Sequence, residues 1–153
     1  MALIKYIVIV LISINVYAQR VIDTNVLFSE SIEGYDETDD CSVRALASVI
    51  DDYKIAHRYL KMSGRRNFSP VSLRMMLTAL LMSVEVIEIK PVENIKAKEF
   101  IFKYARTGFI YFVFNKYHIF VIKENDKGIF EVWGNPDDSY QTIIGYMRVM
   151  LKR

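Results

Sequence analysis

The sequence predicts an α+β domain in which N-terminal helices pack on a C-terminal antiparallel sheet. Apolar residues recur at helical spacing in the first half of the chain, and aromatic and β-branched runs separated by turn residues fill much of the second half. The 153 residues are enough for one domain with a sizeable core and too few for two. Hydrophobic residues make up 52% of the chain and charged residues 25%, which is typical of a globular protein.

Charge and composition narrow the classes of function. The formal net charge is +2, which gives no reason to expect nucleic acid as a partner. The single cysteine, Cys41, excludes an intramolecular disulfide and a cysteine-based zinc site. The two histidines, His57 and His118, are too few for a histidine-rich metal centre. We therefore predict a protein without a metal or another cofactor.

Residues 1–18 have the pattern of a signal peptide. Lys5 precedes an almost wholly apolar run from Tyr6 to Tyr17, and a cleavage site follows at Ala18. The protein is therefore expected to be exported, either secreted or periplasmic. Two alternatives stay open: an uncleaved membrane anchor, although the run is short for a transmembrane span, and a buried strand, since the run is strongly β-forming.

Residues 19–38 form the predicted extended, acidic lead-in, and residues 39–153 the predicted domain. Three helices are expected in its first half. The first begins near Cys41, the second runs from Asp51 or Asp52 to Met62, and the third has Pro70 in its first turn. Asp39 or Asp40 can cap the first of these helices, and Ser69 caps the third. His57 lies off the apolar stripe of the second helix and is interpreted as a surface residue.

The remaining chain is predicted to be mainly strand. A strand from Val84 to Ile89 is expected to end at Pro91, before a short helix that Asn94 caps and that extends to about Tyr104. Three aromatic and β-branched runs then predict an antiparallel meander: Phe109 to Phe114, Tyr117 to Lys123, and Ile129 to Trp133. The tail from Thr142 to Leu151 suits a strand or a helix, and a strand is favoured.

Cys41 is the candidate nucleophile. It opens a predicted helix, where the positive end of the macrodipole and unpaired backbone N–H groups favour a thiolate. His118, at the start of the middle strand of the meander, is the candidate base. Asn135 follows the next strand and can fix the histidine tautomer through its amide oxygen, and Asp137 or Asp138 can take the same role. The alternatives are a small buried cysteine, a histidine on the solvent face, and a simple Asn-Pro turn.

This order of residues resembles the papain-like cysteine peptidases, in particular the small bacterial and phage-borne members close to the bacteriocin-processing peptidases. The resemblance covers roughly residues 39–138. The stretches that carry it are Asp40 to Ala47 followed by Tyr53, Ala56, His57, Gly64 and Arg65, then Tyr117 to Val121, and then Trp133 to Pro136.

The resemblance implies a helical part that carries the nucleophile, a sheet that carries the base, and an active-site cleft between them. By position, Cys41 would attack the acyl carbon, His118 would shuttle the proton and Asn135 would orient His118. The backbone N–H of Cys41 would help to bind the oxyanion. The implied reaction is hydrolysis of a peptide or isopeptide bond in a peptide or protein substrate.

One feature departs from that family. Its members usually have a Gln or Asn a few residues before the cysteine as an oxyanion donor, and Tyr35 to Asp40 contains neither. Asp39 and Asp40 cannot donate, and they oppose a thiolate by like charge. The chain is therefore expected to be a slow hydrolase or an inert papain-like module that binds a peptide or partner protein, unless Tyr35 or a later residue supplies the donor.

Two further alternatives remain open. Asp40-Cys41-Ser42 is similar to the Asp-Cys-Ser-Gly opening of NlpC-type peptidoglycan endopeptidases, although Val43 stands where their glycine would be. That family shares the papain-like architecture, so the fold expectation is the same. The other alternative is an exported protein in which Cys41 is structural and lies far from His118.

Overall fold

The computed structural model describes residues 20–28, 40–66 and 71–152. Several predictions therefore lie outside the described residues. These are the signal peptide over 1–18, most of the lead-in over 19–38, Asp39 as a helix cap, and Tyr35 as an oxyanion donor.

The described residues contain five α-helices, one 3₁₀ helix and six strands. The α-helices are α1 (Thr24–Phe28), α2 (Cys41–Ile50), α3 (Tyr53–Met62), α4 (Leu73–Leu80) and α5 (Ala97–Tyr104), and the 3₁₀ helix is Pro136–Tyr140. The strands are β1 (Val21–Asp23), β2 (Val84–Ile95), β3 (Ile110–Phe114), β4 (Ile119–Glu124), β5 (Phe130–Gly134) and β6 (Ile143–Leu151). The α+β class is confirmed.

The six strands form one mixed sheet in the order β1-β5-β4-β3-β6-β2. The predicted meander is present as β3, β4 and β5, which pair antiparallel, and β6 and β2 extend it on one side. The prediction of a wholly antiparallel sheet is wrong at one edge, because β1 pairs parallel to β5. β1 and α1 lie in the predicted lead-in, and a strand of only three residues shows no alternation that a sequence pattern would reveal.

The third predicted helix begins later than expected. It is α4, which begins at Leu73 rather than at Ser69 and Pro70. The side chain of Ser72, not Ser69, caps it by accepting from the backbone N–H of Met75 at 3.2 Å.

Two further predicted boundaries are wrong. β2 does not end at Pro91 but continues to Ile95, with a register shift between those two residues. β2 is an edge strand, where the missing N–H of a proline need not interrupt the ladder. Asn94 consequently belongs to β2 rather than capping a helix, and Lys96 precedes α5. The favoured strand at the tail is correct, as β6.

Helices cover both faces of the sheet. On one face α2, α3 and α4 pack against side chains such as Phe112 and Val121. On the other face α5 packs against a second apolar cluster, which includes the aromatic side chains of Tyr111 and Phe120. Successive strand residues point to opposite faces, so neighbours such as Tyr111 and Phe112 enter different clusters. This two-sided burial explains why the strands are continuous apolar runs rather than alternating ones.

The packing of α2 on the sheet positions the candidate site. α2 lies against β4 and β5 and begins at Cys41. His118 immediately precedes β4, and the antiparallel register places the start of β4 beside the end of β5. The 3₁₀ helix follows directly after β5. One end of the sheet therefore gathers the N-terminus of α2, the start of β4 and the chain that leaves β5.

Candidate active site

Cys41 is the first residue of α2 and is partly exposed. Asp40 occupies the N-cap position, as predicted, but its side chain makes no capping hydrogen bond to the helix. Its carboxylate instead accepts from Arg44 Nε at 2.8 Å and from the Tyr53 hydroxyl at 2.9 Å. The Asp40 side chain therefore leaves the first backbone N–H groups of the helix uncapped. These groups point towards the N-terminal end of α2, where Cys41 lies.

Asp40 and Arg44 form a buried ion pair behind Cys41. Their side chains are 8% and 10% exposed, so solvent screens the pair little. Arg44 also donates from Nη1 to the carbonyl of Thr24 at 3.0 Å and lies 5.7 Å from the ring centroid of Tyr53. The expectation that Asp40 opposes a Cys41 thiolate by like charge is offset by this pairing, because Arg44 supplies a compensating positive charge.

His118 links Cys41 to a carboxylate. Its Nε2 donates to Asp138 Oδ1 at 2.7 Å. The Cys41 thiol interacts with the same ring, and since Nε2 is bonded to Asp138, Nδ1 is the nitrogen left for the sulfur. The backbone N–H of His118 donates to the Asn115 side chain at 2.9 Å, which fixes the tip of the β3–β4 hairpin. The His118 ring thus has Asp138 at one nitrogen and Cys41 at the other.

The partners of His118 keep its ring charged. Burial disfavours the imidazolium, but hydrogen bonds to Asp138 and Cys41, together with their charges, raise the pKa of His118 to about 10. At neutral pH the ring is therefore an imidazolium. An imidazolium beside a thiol stabilises the thiolate form, which is the nucleophilic one.

The structure places Asp138, not Asn135, against His118. Asp138 is 2% exposed, and its second carboxylate oxygen accepts from the backbone N–H of Asn135 at 2.7 Å. Asn135 thus positions the carboxylate through its main chain. Asp137, the other alternative, is exposed. The prediction that Asn135 orients the histidine is wrong, because one turn of 3₁₀ helix brings the third residue after Asn135 back onto the ring.

Gly134 makes room for this carboxylate. A Cβ at Gly134 would lie 1.8 Å from Asp138 Oδ2 and 2.9 Å from Asp138 Cγ. The sequence does carry a signal for the position of Asp138: Asn135-Pro136-Asp137-Asp138 fits a capping box with proline at the first helical position. No comparable signal marked Gly134.

A cleft opens beside Cys41 and His118. Its volume is about 510 Å³, and it lies between the helical face and the β3–β4 hairpin. Half of its other lining residues are apolar: Val71, Leu73, Met76, Phe114 and Ile119. A second, shallower groove of about 740 Å³ lies on the other side of the hairpin. Its lining is more polar and includes Lys96, Lys116, Asp137, Gln141 and Thr142.

His57 takes no part in this arrangement. It is half-buried on α3 rather than on the surface as predicted, with its ring centroid 6.4 Å from that of Tyr53. Within the described residues, no group of three or more His, Cys, Asp or Glu side chains is arranged to hold a metal ion. None of the helices in the described part of the chain has the length and apolar character needed to cross a bilayer.

Comparisons with protein-family models, with curated proteins and with solved structures found no match to this chain.

Proposed function

We propose that this protein is a papain-like cysteine hydrolase that cleaves a peptide or isopeptide bond. Cys41 is the nucleophile, His118 the general acid and base, and Asp138 the residue that orients His118. The observation that carries the proposal is the continuous contact from the Cys41 thiol through the His118 ring to a buried Asp138 carboxylate. A structural cysteine needs neither a charged histidine nor a cleft beside it.

The proposed reaction has two halves. The Cys41 thiolate attacks the carbonyl carbon and forms a C–S bond, and the C–N bond then breaks as His118 gives its Nδ1 proton to the leaving amine. Neutral His118 next removes a proton from water, which attacks the thioester. The C–S bond breaks, and sulfur leaves as a thiolate beside a protonated His118. Asp138 keeps Nε2 protonated throughout, so Nδ1 is always the nitrogen that exchanges protons.

Oxyanion binding is assigned to backbone N–H groups at the start of α2. Asp40 leaves these groups uncapped, and helix N-termini stabilise developing negative charge. Asn115 also lines the cleft, but its amide nitrogen donates to Gln141 at 3.3 Å. A backbone-only site predicts a slower enzyme, since loss of one oxyanion donor costs about two to three decades of rate.

The arrangement of elements supports the assignment to the papain-like group. A helix presents the nucleophile at its N-terminus, and a sheet packed on that helix presents the base and its orienting carboxylate. The apolar cleft beside Cys41 and His118 suits a peptide with an apolar side chain near the cleaved bond. An NlpC-type peptidoglycan endopeptidase would share these elements and differ in its substrate.

The test uses the fact that Cys41 is the only cysteine, so alkylation reports on it alone. We expect iodoacetamide to react rapidly at pH below about 7 in the wild type, and the rate there to fall at least about tenfold in His118→Ala. His57→Ala is the matched control and should react like the wild type. A rate that is unchanged in His118→Ala would overturn the proposed Cys–His pair.

A second reagent separates a hydrolase from an inert binding module. A peptidyl vinyl sulfone with an apolar residue needs both a reactive thiol and a cleft that aligns the peptide, so we expect it to label Cys41 in the wild type and not in Leu73→Lys, which changes an exposed residue of the cleft lining. Iodoacetamide should still label that variant. Labelling by iodoacetamide but not by any vinyl sulfone, with no cleavage of a peptide library, would overturn the hydrolase.

We also propose that residues 1–18 direct export and are removed after Ala18. The support is the apolar run behind Lys5 in the sequence. Mass spectrometry of the exported protein should find an N-terminus at Gln19. An exported chain that retains Met1 would contradict cleavage.

A further inference from the structure

A small cavity beside Cys41 is lined by two residues that each have a buried polar atom without a hydrogen-bond partner. The cavity measures about 10 Å³. Its lining includes Thr24, Cys41, His118, Trp133 and Asp138. In the described part of the chain, three buried side-chain polar atoms have no hydrogen-bond partner, and Thr24 Oγ1 and Trp133 Nε1 are two of them. The two residues that carry these atoms thus line a cavity that all three proposed active-site residues also line.

Both side chains are fixed by contacts that leave these polar atoms unused. Thr24 is fully buried at the start of α1. Its carbonyl accepts a hydrogen bond from Arg44, but its hydroxyl has no hydrogen-bond partner. The Trp133 ring lies on β5 with the amine of Lys123 4.0 Å from its centroid. That contact occupies the face of the ring and leaves the N–H at its edge. Thr24 and Trp133 are neighbours because β1 pairs with β5.

Unpaired buried donors are costly, and native proteins rarely leave them so. A cavity of about 10 Å³ of water-centre space is close to the smallest that holds one water molecule. Such a water needs two to four polar partners. The indole N–H, the threonine hydroxyl and a carboxylate with spare lone pairs provide three.

We propose that this cavity is the binding site of a single water molecule, which Thr24 Oγ1 and Trp133 Nε1 hold against the Asp138 carboxylate. Trp133 donates to the water, the threonine hydroxyl shares a second hydrogen bond with it, and the water donates to Asp138. Thr24 and Trp133 are then positioning residues. They connect the β1–α1 corner to the carboxylate that orients His118, whether or not the site cleaves peptides.

The decisive measurement uses the single tryptophan of the chain, which gives one indole N–H signal. In the full ¹⁵N-labelled protein, we expect a nuclear Overhauser cross-peak between that proton and the water resonance, with the sign that a bound water molecule gives. We also expect it to vanish in Asp138→Ala, which removes the third partner of the water. A protected indole proton without a water cross-peak in the wild type would overturn the proposal.

Stability and reactivity test the positioning role. If the water is bound, Thr24→Val and Trp133→Phe each remove one of its partners, so we expect each Tm to fall by about 3 °C or more. We also expect the Cys41 alkylation rate to fall severalfold. Thr78→Val, which alters an exposed threonine on α4, is the matched control. A rise in Tm would mean that the atoms are simply unpaired, and an unchanged alkylation rate would exclude the positioning role.

Discussion

The buried carboxylate of Asp138 sets the protonation and the orientation of His118 in the proposed site. It accepts from His118 through one oxygen and from the Asn135 main chain through the other. The carboxylate is therefore fixed in direction as well as in charge, and a histidine bonded to such a group keeps one tautomer and one ring orientation.

We expect Asp138→Asn to lower the pKa of His118 from about 10 towards its ordinary value, because the negative charge beside the ring is lost. The Cys41 alkylation rate near neutral pH should fall at least about tenfold. NMR titration of the His118 ring measures the first effect. Asp137→Asn is the matched control, since Asp137 is adjacent in sequence and exposed. A His118 titration that is the same in Asp138→Asn and wild type would contradict the assignment.

Gly134 offers a test that removes none of the polar groups of the site. We expect Gly134→Ala to displace the Asp138 carboxylate, because the new Cβ would lie 1.8 Å from Oδ2. Alkylation of Cys41 should slow as in Asp138→Asn. In Gly134→Ala/Asp138→Ala most of the clash is removed, so the double variant should be more stable to urea than the sum of the single changes predicts. Strict additivity would argue against the clash.

At the scale of the helices and strands, α2 depends on a buried charge pair. Arg44 neutralises Asp40 at its N-terminus and ties it to the carbonyl of Thr24. These contacts hold the first turn of the helix, and therefore Cys41, at a fixed place against the sheet. Tyr53 adds a hydrogen bond to the same carboxylate from α3.

We expect Arg44→Met to lower the free energy of unfolding by about 3–5 kcal/mol, because it leaves a buried carboxylate without its cation. Urea denaturation measures this loss. Arg58→Met, at an exposed position on α3, should stay within about 0.5 kcal/mol of the wild type. Adding Asp40→Asn to Arg44→Met should recover part of the loss, and no recovery would mean that packing rather than charge is responsible.

The sequence predicted those elements whose pattern is local. The amphipathic stripes of α2 and α3 and the aromatic runs of β3, β4 and β5 are long enough to show their period. The short strand β1 carries no period, and its place depends on pairing with distant β5. The extent of β2 depends on its edge position, which a local pattern does not contain.

The proposed site was predictable only in part for the same reason. Cys41 and His118 have residue types and positions that suggest chemistry without a structure. The choice of Asp138 over Asn135 depends on how one turn of 3₁₀ helix folds back, and Arg44 and Gly134 matter through contacts between elements far apart in sequence.

At the scale of the whole molecule, the His118 imidazolium couples folding to pH. The pKa of His118 is about 10 in the folded protein and about 6.5 in an unfolded chain. Its contribution to stability is therefore fully present below about pH 6.5 and is lost as the pH rises through about 10.

We expect the difference in unfolding free energy between the wild type and His118→Gln to shrink as the pH rises from about 6.5 to about 10. Urea denaturation across that range measures it, with His57→Gln as the matched control. A difference that stays constant with pH would show that His118 binds its proton equally well in both states.

The edges of the sheet also bear on how copies of this protein behave towards one another. An exposed strand edge is a template for pairing with another chain. β1 offers only three residues at one edge. β2 is long, but it carries Pro91 and the exposed charges of Glu85, Lys90 and Glu93 at the other. A short strand, a proline and charged side chains all discourage intermolecular pairing, so both described edges of the sheet are poor templates for the addition of another chain.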